Sequence, residues 1–348
     1  MSILYGISQS NPKGAAYACS GNSFRGGVSP RSTRRPKGQS TVEYVLVIAI
    51  IVLVVLIAGP GVAGAIRNQF NLVGNTLNSG TTGGTESGGA SGGGSAGADS
   101  ATVQAAIAKD ARDWTLDEQK AVAEDIAAKG EASPAYAKAK AAMDAGTKFS
   151  MKLTNGKTLE YRIIGINHDD LADGSGKAGL TFLTTSSTIY SRMNATNTNA
   201  GGWERSELRQ KMNSGEVWSL MTSDFQSKVK TVRKLTNNAG GGDANENAAV
   251  TATSDRLFLL SYSEIVPTSH WASSYPWSSS EGTQYEAFKG KVTQDDSGND
   301  CLKIGPSWWE RSAYPGNSGS FLLVCVHGVP SDSSVATGSF RVCPAWCF

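Results

Sequence analysis

A run of apolar residues near the N-terminus constrains this chain more than any other feature. Every residue from 45 to 57 is apolar, and small and apolar residues continue to Ile66. At a rise of about 1.5 Å per residue, this stretch is long enough to cross a hydrocarbon layer of about 30 Å. Because that layer offers the backbone no hydrogen-bond partners, a single segment can cross it only as a helix. We therefore expect a transmembrane helix here.

The charges around this run predict its orientation. The one dense basic cluster, Arg31, Arg34, Arg35 and Lys37, stands immediately before it. Cationic residues stay on the cytoplasmic side, so we expect everything beyond Arg67 to lie outside the cytoplasm. The net charge of only +2 gives no basic surface for nucleic acid, which is therefore not an expected partner. The 40 glycines and the low charged fraction of 18 % are typical of a secreted, loop-rich surface protein.

A carboxylate at the start of the apolar run asks for a function, because a charge at that depth is costly. The stretch Gly38-Gln39-Ser-Thr-Val-Glu43-Tyr44 resembles the Flp/Tad (type IVb) pilins over Lys37 to Leu77. In that family a prepilin peptidase cuts a basic leader after a Gly, and Glu-Tyr follows at the fifth and sixth mature positions. The resemblance implies a cut after Gly38 and a mature start at Gln39.

The same resemblance implies partners and a destination. Glu43 would pair with the new α-amino group of a neighbouring pilin subunit once both are buried in a filament. The partners would be other pilin subunits and a prepilin peptidase, and the membrane precursor would become part of an extracellular pilus or the cell surface. An ordinary signal anchor with an incidental Glu43 is the alternative.

Composition changes twice beyond this helix. Residues 79–100 are almost entirely Gly, Ser, Thr and Ala, which predicts a flexible tether. Thr115 with Glu118 predicts a capping box, and Gly130 can end that helix. These Ala- and Lys-rich helices are expected to form a spacer or a small packing layer, with Trp114 docking on the domain C-terminal to them. The expected domains are a leader (1–38), a pilin transmembrane and assembly helix (39–78), a linker (79–100), a helical spacer (101–146) and a ligand-binding domain (147–348).

The last domain is predicted to be of the α+β class. Asn155-Gly156 is a strong hairpin signal between two β-like runs, and long Gly/Ser/Asn-rich loops come after it. The predicted strands are Lys148–Leu153, Leu159–Ile166, Leu180–Thr184, Leu257–Leu260, Phe321–His327 and Ser339–Val342, and the predicted helices are Trp203–Asn213 and Ser223–Val232. Loops of such length usually carry function.

Five stretches carry a second resemblance, which spans most of Phe149 to Phe348. They are Ile166–Phe182, Gly201–Asn213, Leu260–Ile265, Trp308–Ser312 and Val342–Trp346. They look like a bacterial domain-of-unknown-function family that is similar to C-type-lectin-like domains, except that the family often has Arg-Pro at Cys343-Pro344. The resemblance implies a C-type-lectin-like fold with short strands, two helices and long loops. Because tryptophan is large and a loop-rich domain packs around such side chains, we expect Trp203, Trp309 and Trp346 in the core. We expect Arg209 and Arg311 to tie loops down through carbonyls or carboxylates.

No catalytic motif is recognisable, so we expect no enzyme and no cofactor. The histidines His168, His270 and His327 are scattered, and no nucleophile elbow or phosphate loop is present. The enzymatic alternative is a formylglycine-generating-type oxidase, which is also C-type-lectin-like and for which Cys343 and Cys347 would supply the cysteine pair. A purely structural pilus subunit is the other alternative.

Two local patterns leave alternatives open. The exported cysteines Cys301, Cys325, Cys343 and Cys347 allow two disulfides in any of three pairings, or four free thiols. The acidic cluster from His168 to Asp173 could bind calcium, but its spacing favours ordinary turns, so no metal is expected.

The segment from Ser312 to Ala345 has an unusual composition. It lacks Lys, Glu, Gln, Met and Trp, which is what adenine-directed randomisation of Asn codons would produce. In this the chain resembles the variable C-type-lectin-like target proteins of diversity-generating retroelements. Ordinary serine-rich bias is the alternative. The hypothesis is an adhesin whose C-terminal loops bind an extracellular protein or glycan through Tyr314, Asn317, Leu322, Leu323, His327, Val329 and Ser331.

Overall fold

The structure, a computed structural model, describes residues 100–238, 250–270, 281–314 and 318–348. All of them lie within one compact unit, Ser91–Phe348. Within these described ranges no helix is both long and apolar enough to cross a membrane. The predicted leader, transmembrane helix and most of the linker lie outside the described residues. So do five of the predicted site residues, Gly38, Gln39, Glu43, Tyr44 and Asn317.

The described region is a mixed α+β structure, as predicted. Its helices are α1 (Ser100–Ala108), α2 (Leu116–Lys129), α3 (Tyr136–Ala145), α4 (Gly202–Arg205), α5 (Glu207–Asn213), α6 (Glu216–Ser219), α7 (Ser223–Gln226) and α8 (Tyr262–Ile265). Its strands are β1 (Phe149–Lys152), β2 (Thr158–Ile166), β3 (Leu180–Ser186), β4 (Tyr190–Ser191), β5 (Val232–Asn237), β6 (Val250–Asp255), β7 (Trp308–Ala313), β8 (Ser320–Val324), β9 (Asp332–Val335), β10 (Phe340–Arg341) and β11 (Ala345–Cys347).

The strands form three sheets. The order β1-β2-β3-β11 makes an antiparallel sheet, in which the C-terminal strand lies beside β3. The order β4-β10-β7-β8-β9 makes a second sheet, with a parallel pair only between β10 and β7. Strands β5 and β6 form a separate antiparallel hairpin. The first and the last strand of the described region therefore belong to the same sheet.

The three N-terminal helices share their hydrophobic core with the first sheet. Helix α2 begins at the capping box of Thr115 and Glu118 and ends at Gly130, where φ is 58°, as the sequence predicted. Trp114 stacks on Phe149 of β1, with ring centroids 6.2 Å apart. The segment predicted as a spacer or packing layer thus packs within the same compact unit as the strands.

The centre of the unit is aromatic. Trp203, Trp309 and Trp346 are fully buried, which confirms their predicted core positions. Trp346 of β11 lies 4.8 Å from Tyr161 and 5.1 Å from Phe225, measured between ring centroids. Aromatic pairs at such distances add to the free energy of burial. Strand β11 therefore forms part of the hydrophobic core.

Local signals predicted several elements correctly. The Asn155-Gly156 turn joins β1 and β2 in register, and the helix predicted over Trp203–Asn213 forms as two pieces that break at Ser206. Three predictions are wrong. The C-terminal domain was expected to have two helices, whereas its described residues contain the five short helices α4 to α8. Leu257–Leu260 is buried but is not a strand, and the helix predicted over Ser223–Val232 ends at Gln226 because Val232 pairs in β5. Strands β4, β5, β6, β7, β9 and β11 were not predicted.

Candidate binding site

A network of buried charged side chains links separate elements of the described region. The ammonium of Lys234, on β5, lies 2.6 Å from Asp169 Oδ1 and 2.5 Å from Glu264 Oε1. All three side chains are at most 4 % exposed. Lys234 also lies 4.3 Å from the ring centroid of Phe258, a cation–π geometry. A loop, a strand and a helix are therefore joined at one cation.

The electrostatics of this network keep its members ionised. Burial alone would raise the pKa of Asp169, but the neighbouring Lys234 holds that pKa well below its usual range. Burial likewise opposes ionisation of Glu264, and the charges of Arg311 and Lys234 lower its pKa. A buried ion remains charged only when the partner charges and hydrogen bonds offset the loss of water.

Arg311 extends the network into β7. Its guanidinium binds both carboxylate oxygens of Glu264, at 2.5 and 2.9 Å, and donates to the carbonyls of Leu235 and Leu259, at 3.1 and 2.8 Å. Arg209 similarly pairs with the buried Asp255, at 2.6 Å. The predicted loop-tying role is confirmed for Arg311, which binds the carbonyl of the loop residue Leu259. Arg209 instead joins helix α5 to strand β6. Sequence reasoning missed Lys234 and Glu264. Glu264 is a lone charge in an otherwise uncharged buried stretch, whereas Lys234 follows the exposed Arg233 and gives no such signal.

The acidic cluster that could have bound calcium is divided among separate partners. Asp169 faces Lys234, Asp170 pairs with the exposed Lys177 at 2.9 Å, and Asp173 accepts from the backbone of Ser175 at 2.9 Å. His168 lies 3.1 Å from Glu286 Oε2. Within the described ranges no group of three potential ligands converges on one point.

A cleft of about 200 Å³ opens beside this network. Its walls include Lys234, Glu264 and Glu281, which are nearly fully buried and have partners inside the protein. A ligand entering here would have to compete with these internal bonds. The cleft is therefore a weaker candidate for a binding site than the exposed surface near the C-terminus.

The C-terminal segment alternates between buried strands and exposed connections. All five residues of β8 are buried, with Leu322 at 6 % and Leu323 at 2 % exposure. The sequence analysis placed these two leucines on the binding surface. That prediction is wrong, because both side chains are buried. Both faces of β8 are covered, and its edges are paired because the strand lies between β7 and β9 within the second sheet. The two leucines therefore pack in the core next to the exposed connections and stabilise them from within the sheet.

The exposed side chains of this segment lie around the β8–β9 hairpin. Val326 and His327 form its tip and are exposed, with Val326 at 48 %. Val335, at the far end of β9, is 44 % exposed. Strand β9 lies at an edge of the sheet. We name the exposed and partly exposed residues Val326, His327, Val329, Ser331, Asp332 and Val335 the C-terminal loop face.

The predicted contact residues do not all meet. Tyr314 lies opposite the start of β8, where its N–H donates to the carbonyl of Ser320 at 2.9 Å. His327 lies beyond the other end of β8, and the strand is about 13 Å long at a rise of about 3.3 Å per residue. Val329 and Ser331 are partly exposed and join His327 on the hairpin. The structure therefore groups these three near the tip of the hairpin. Tyr314 lies at the other end of β8, where Ser320 pairs with Val335.

The cysteines are free thiols in the described part of the chain. Cys301 and Cys325 are half-buried, while Cys343 and Cys347 are buried. Burial raises the pKa of the Cys343 thiol to about 12, and burial together with the nearby Asp169 raises the pKa of Cys347 far above its ordinary value. Thiol chemistry proceeds through the thiolate, so this environment disfavours a reactive cysteine pair.

Comparison with known proteins gives one similarity. Residues 178–348 match a family described as Domain of unknown function (DUF6273). No curated protein and no solved structure matches the chain. No pilin family and no C-type-lectin-like family matches either, so these two resemblances stay predictions. The matched region includes the second sheet, the C-terminal loop face and Arg311, but it begins after Asp169. Residues 178–348 are therefore similar to the DUF6273 family.

Proposed function

We propose that this chain is a pilin-anchored, surface-displayed adhesin that binds an extracellular protein or glycan through the C-terminal loop face. One observation carries the binding part of this proposal. The segment after β7 exposes Val326 and Val335 to solvent, at 48 % and 44 %. Both residues belong to the β8–β9 hairpin, whose first strand, β8, is fully buried. Adaptable loops on a rigid scaffold are the usual arrangement of a binding surface.

The physical gain on binding would come from these apolar side chains. Each Å² of apolar surface removed from water contributes about 25 cal/mol. His327, Ser331 and Asp332 are placed to direct hydrogen bonds around Val326, whereas Val335 lies at the other end of β9. The mixture of aliphatic, small polar and imidazole groups resembles an adaptable paratope. It also fits the retroelement hypothesis, since all six positions fall within the Ser312–Ala345 segment.

The anchoring part of the proposal rests on the N-terminal pattern alone. The basic leader, Gly38 and Glu43 support processing and assembly on a Flp/Tad pilus, whereas the C-type-lectin-like part of the proposal rests on the five C-terminal stretches. Gly38→Ala is expected to leave an uncut membrane precursor, whereas the parent is cut before Gln39. N-terminal sequencing of exported material decides this. A start well beyond Ile57 would contradict pilin processing.

A binding screen tests the loop face. Full chains are screened against arrays of glycans and surface proteins, and Val326→Ser and His327→Ala are expected to weaken any interaction found at least tenfold. Val250→Ser is the matched control, because Val250 is an exposed valine, at 39 %, on the separate β5–β6 hairpin. Equal loss in the control, or parent-like binding by both test variants, would contradict the proposal.

The alternatives predict other outcomes. A structural pilus subunit would assemble with both loop-face variants and bind nothing in the screen. A formylglycine-generating-type oxidase would lose activity on substitution of Cys343 or Cys347. The raised pKa of both thiols favours binding over that chemistry.

A further inference from the structure

A second cavity lies away from the buried charge network. It has a volume of about 360 Å³, within the range of about 300–1,000 Å³ typical of small-molecule sites. Strand β2 supplies Glu160 and Arg162, the end of β3 supplies Thr185, and the turn at Asp300–Leu302 closes the cavity with Cys301. Three separate parts of the chain thus meet around one space.

Three cationic side chains line this cavity, and among the described residues Arg162 is the one that has no counter-ion. Its Nη2 donates to the carbonyl of Cys301 at 3.0 Å, but its Nε is buried and has no partner. Phe288 lies under the guanidinium, with 5.7 Å to the ring centroid. No carboxylate of the described residues lies within 4.0 Å of it. A planar guanidinium with free N–H groups binds oxyanions in a two-point geometry.

Thr185 supplies a second free polar group. Its side chain is 7 % exposed, and its Oγ1 is buried without a hydrogen-bond partner. Glu160 pairs with Ser186 while Tyr161 pairs with Thr184, so Thr185 is the extra residue of a β-bulge. Bulges redirect single side chains and often lie next to functional sites. An unpaired hydroxyl in a buried place costs free energy that a ligand would recover.

The other charges at the cavity largely cancel. Lys148 pairs with Glu160 at 3.3 Å, and Lys303 pairs with Asp300 at 2.7 Å. These two pairs leave the single positive charge of Arg162. The cavity therefore favours a ligand that brings one negative group.

We propose that this cavity binds a small organic anion, with the Arg162 guanidinium and the Thr185 hydroxyl contacting one carboxylate, phosphate or sulfate group. The remaining volume holds the body of the molecule, which is of monosaccharide size. This site is distinct from the C-terminal loop face and does not rest on the function proposed for it.

Titration calorimetry of the purified full chain in mild detergent tests the proposal with four probes. Glucuronate, glucose 6-phosphate and inorganic phosphate present a carboxylate on a sugar, a phosphate on a sugar and a bare phosphate, and glucose is the neutral control. We expect at least one anion to bind and glucose not to bind. Tighter binding of glucuronate identifies a carboxylate site, and equal binding of both phosphates shows that the oxyanion alone is recognised.

Variants identify the groups responsible. Arg162→Gln is expected to weaken binding at least tenfold, and Thr185→Val severalfold. Since Thr185 Oγ1 has no partner, its removal is expected to leave the melting temperature unchanged or higher. Thr184→Val is the matched control, because Thr184 Oγ1 donates to the carbonyl of Pro344 at 2.8 Å. That variant should lose stability and keep the affinity.

Cys301 gives an independent measurement should Arg162→Gln fail to fold. The half-buried thiol lines the cavity, so a bound anion should slow its alkylation severalfold while leaving Cys325 unaffected. Val335→Ser is expected to preserve anion affinity, which separates this site from the loop face. Binding of glucose as tight as that of the anions, parent affinity in Thr185→Val, or no anion binding up to about 1 mM would overturn the proposal.

Discussion

Gly179 and Ala123 are in direct backbone contact. A methyl group placed on Gly179 would lie 1.8 Å from the carbonyl oxygen of Ala123, far inside any contact that real Cβ atoms make. Ala123 is a fully buried residue of α2, and Gly179 immediately precedes β3. Only a residue without a side chain lets this helix approach the sheet so closely.

Gly179→Ala is therefore expected to destabilise the fold. The helix must move away from the sheet, and overpacking of a well-packed core costs about 1–3 kcal/mol or more. Chemical denaturation gives the free energy of unfolding. Gly298→Ala is the control, because the nearest atoms that its new methyl would meet belong to the side chain of Asp296, at 3.2 Å. Equal stability of the two variants would contradict this packing argument.

A fragment that begins at Thr147 is expected to be much less stable than one that begins at Ser91. The shorter fragment loses the stacking of Trp114 on Phe149 and the 3.0 Å hydrogen bond from Tyr161 to Gln119. Trp114→Ala in the longer fragment should cost about 3–5 kcal/mol, as expected for a buried tryptophan. Thermal unfolding compares all three. A cooperative transition of the short fragment at the temperature of the long one would show that the helices are dispensable.

Lys234→Met is expected to destabilise the protein by about 3–5 kcal/mol, because it leaves Asp169 buried without its cation. The exposed pair provides a control: Lys303→Met, which removes the partner of Asp300, should cost at most about 1 kcal/mol. Adding Asp169→Asn to Lys234→Met should recover part of the loss, since the uncompensated charge is removed. Additive losses in the double variant would contradict the pairing.

Glu310→Gln is expected to flatten the pH dependence of stability. Glu310 is fully buried, and neither of its carboxyl oxygens has a partner. Burial, and next the nearby charge of Glu281, raise its pKa well above the ordinary value of 4.5. The folded state therefore holds this proton more tightly than the unfolded state. The stability is complete below the ordinary pKa and is lost as the pH rises through the folded pKa.

That sign sets the expected pH profile. Above about pH 5 the parent should lose stability as the pH rises towards the folded pKa of this group, by at most about 1.4 kcal/mol per pH unit. The Gln variant mimics the protonated acid and should retain more stability at the upper end. Glu281, whose pKa burial also raises, leaves a residual slope. Chemical denaturation at a series of pH values compares the two proteins, and parallel profiles would show that Glu310 is already ionised or solvated.

Features that depend on neighbours along the chain could be predicted from the sequence. The Thr115–Glu118 capping box and the Asn155-Gly156 hairpin each need only a few consecutive residues, and both formed as predicted. The core positions of Trp203, Trp309 and Trp346 followed from the large apolar area that a tryptophan buries. The α+β class followed from the alternation of such local signals.

The tertiary structure decided the features that depend on distant partners. Lys234 and Asp169 are 65 residues apart, and nothing near either residue in sequence shows that they pair. Both Leu322 and Leu323 are buried because strands lie on each side of β8 and layers cover both faces, which alternation within β8 cannot reveal. The free Thr185 hydroxyl arises from a bulge in the pairing with β2. Propensity and turn chemistry act over a few residues, whereas register, burial of charge and cavities are set by segments that meet only after folding.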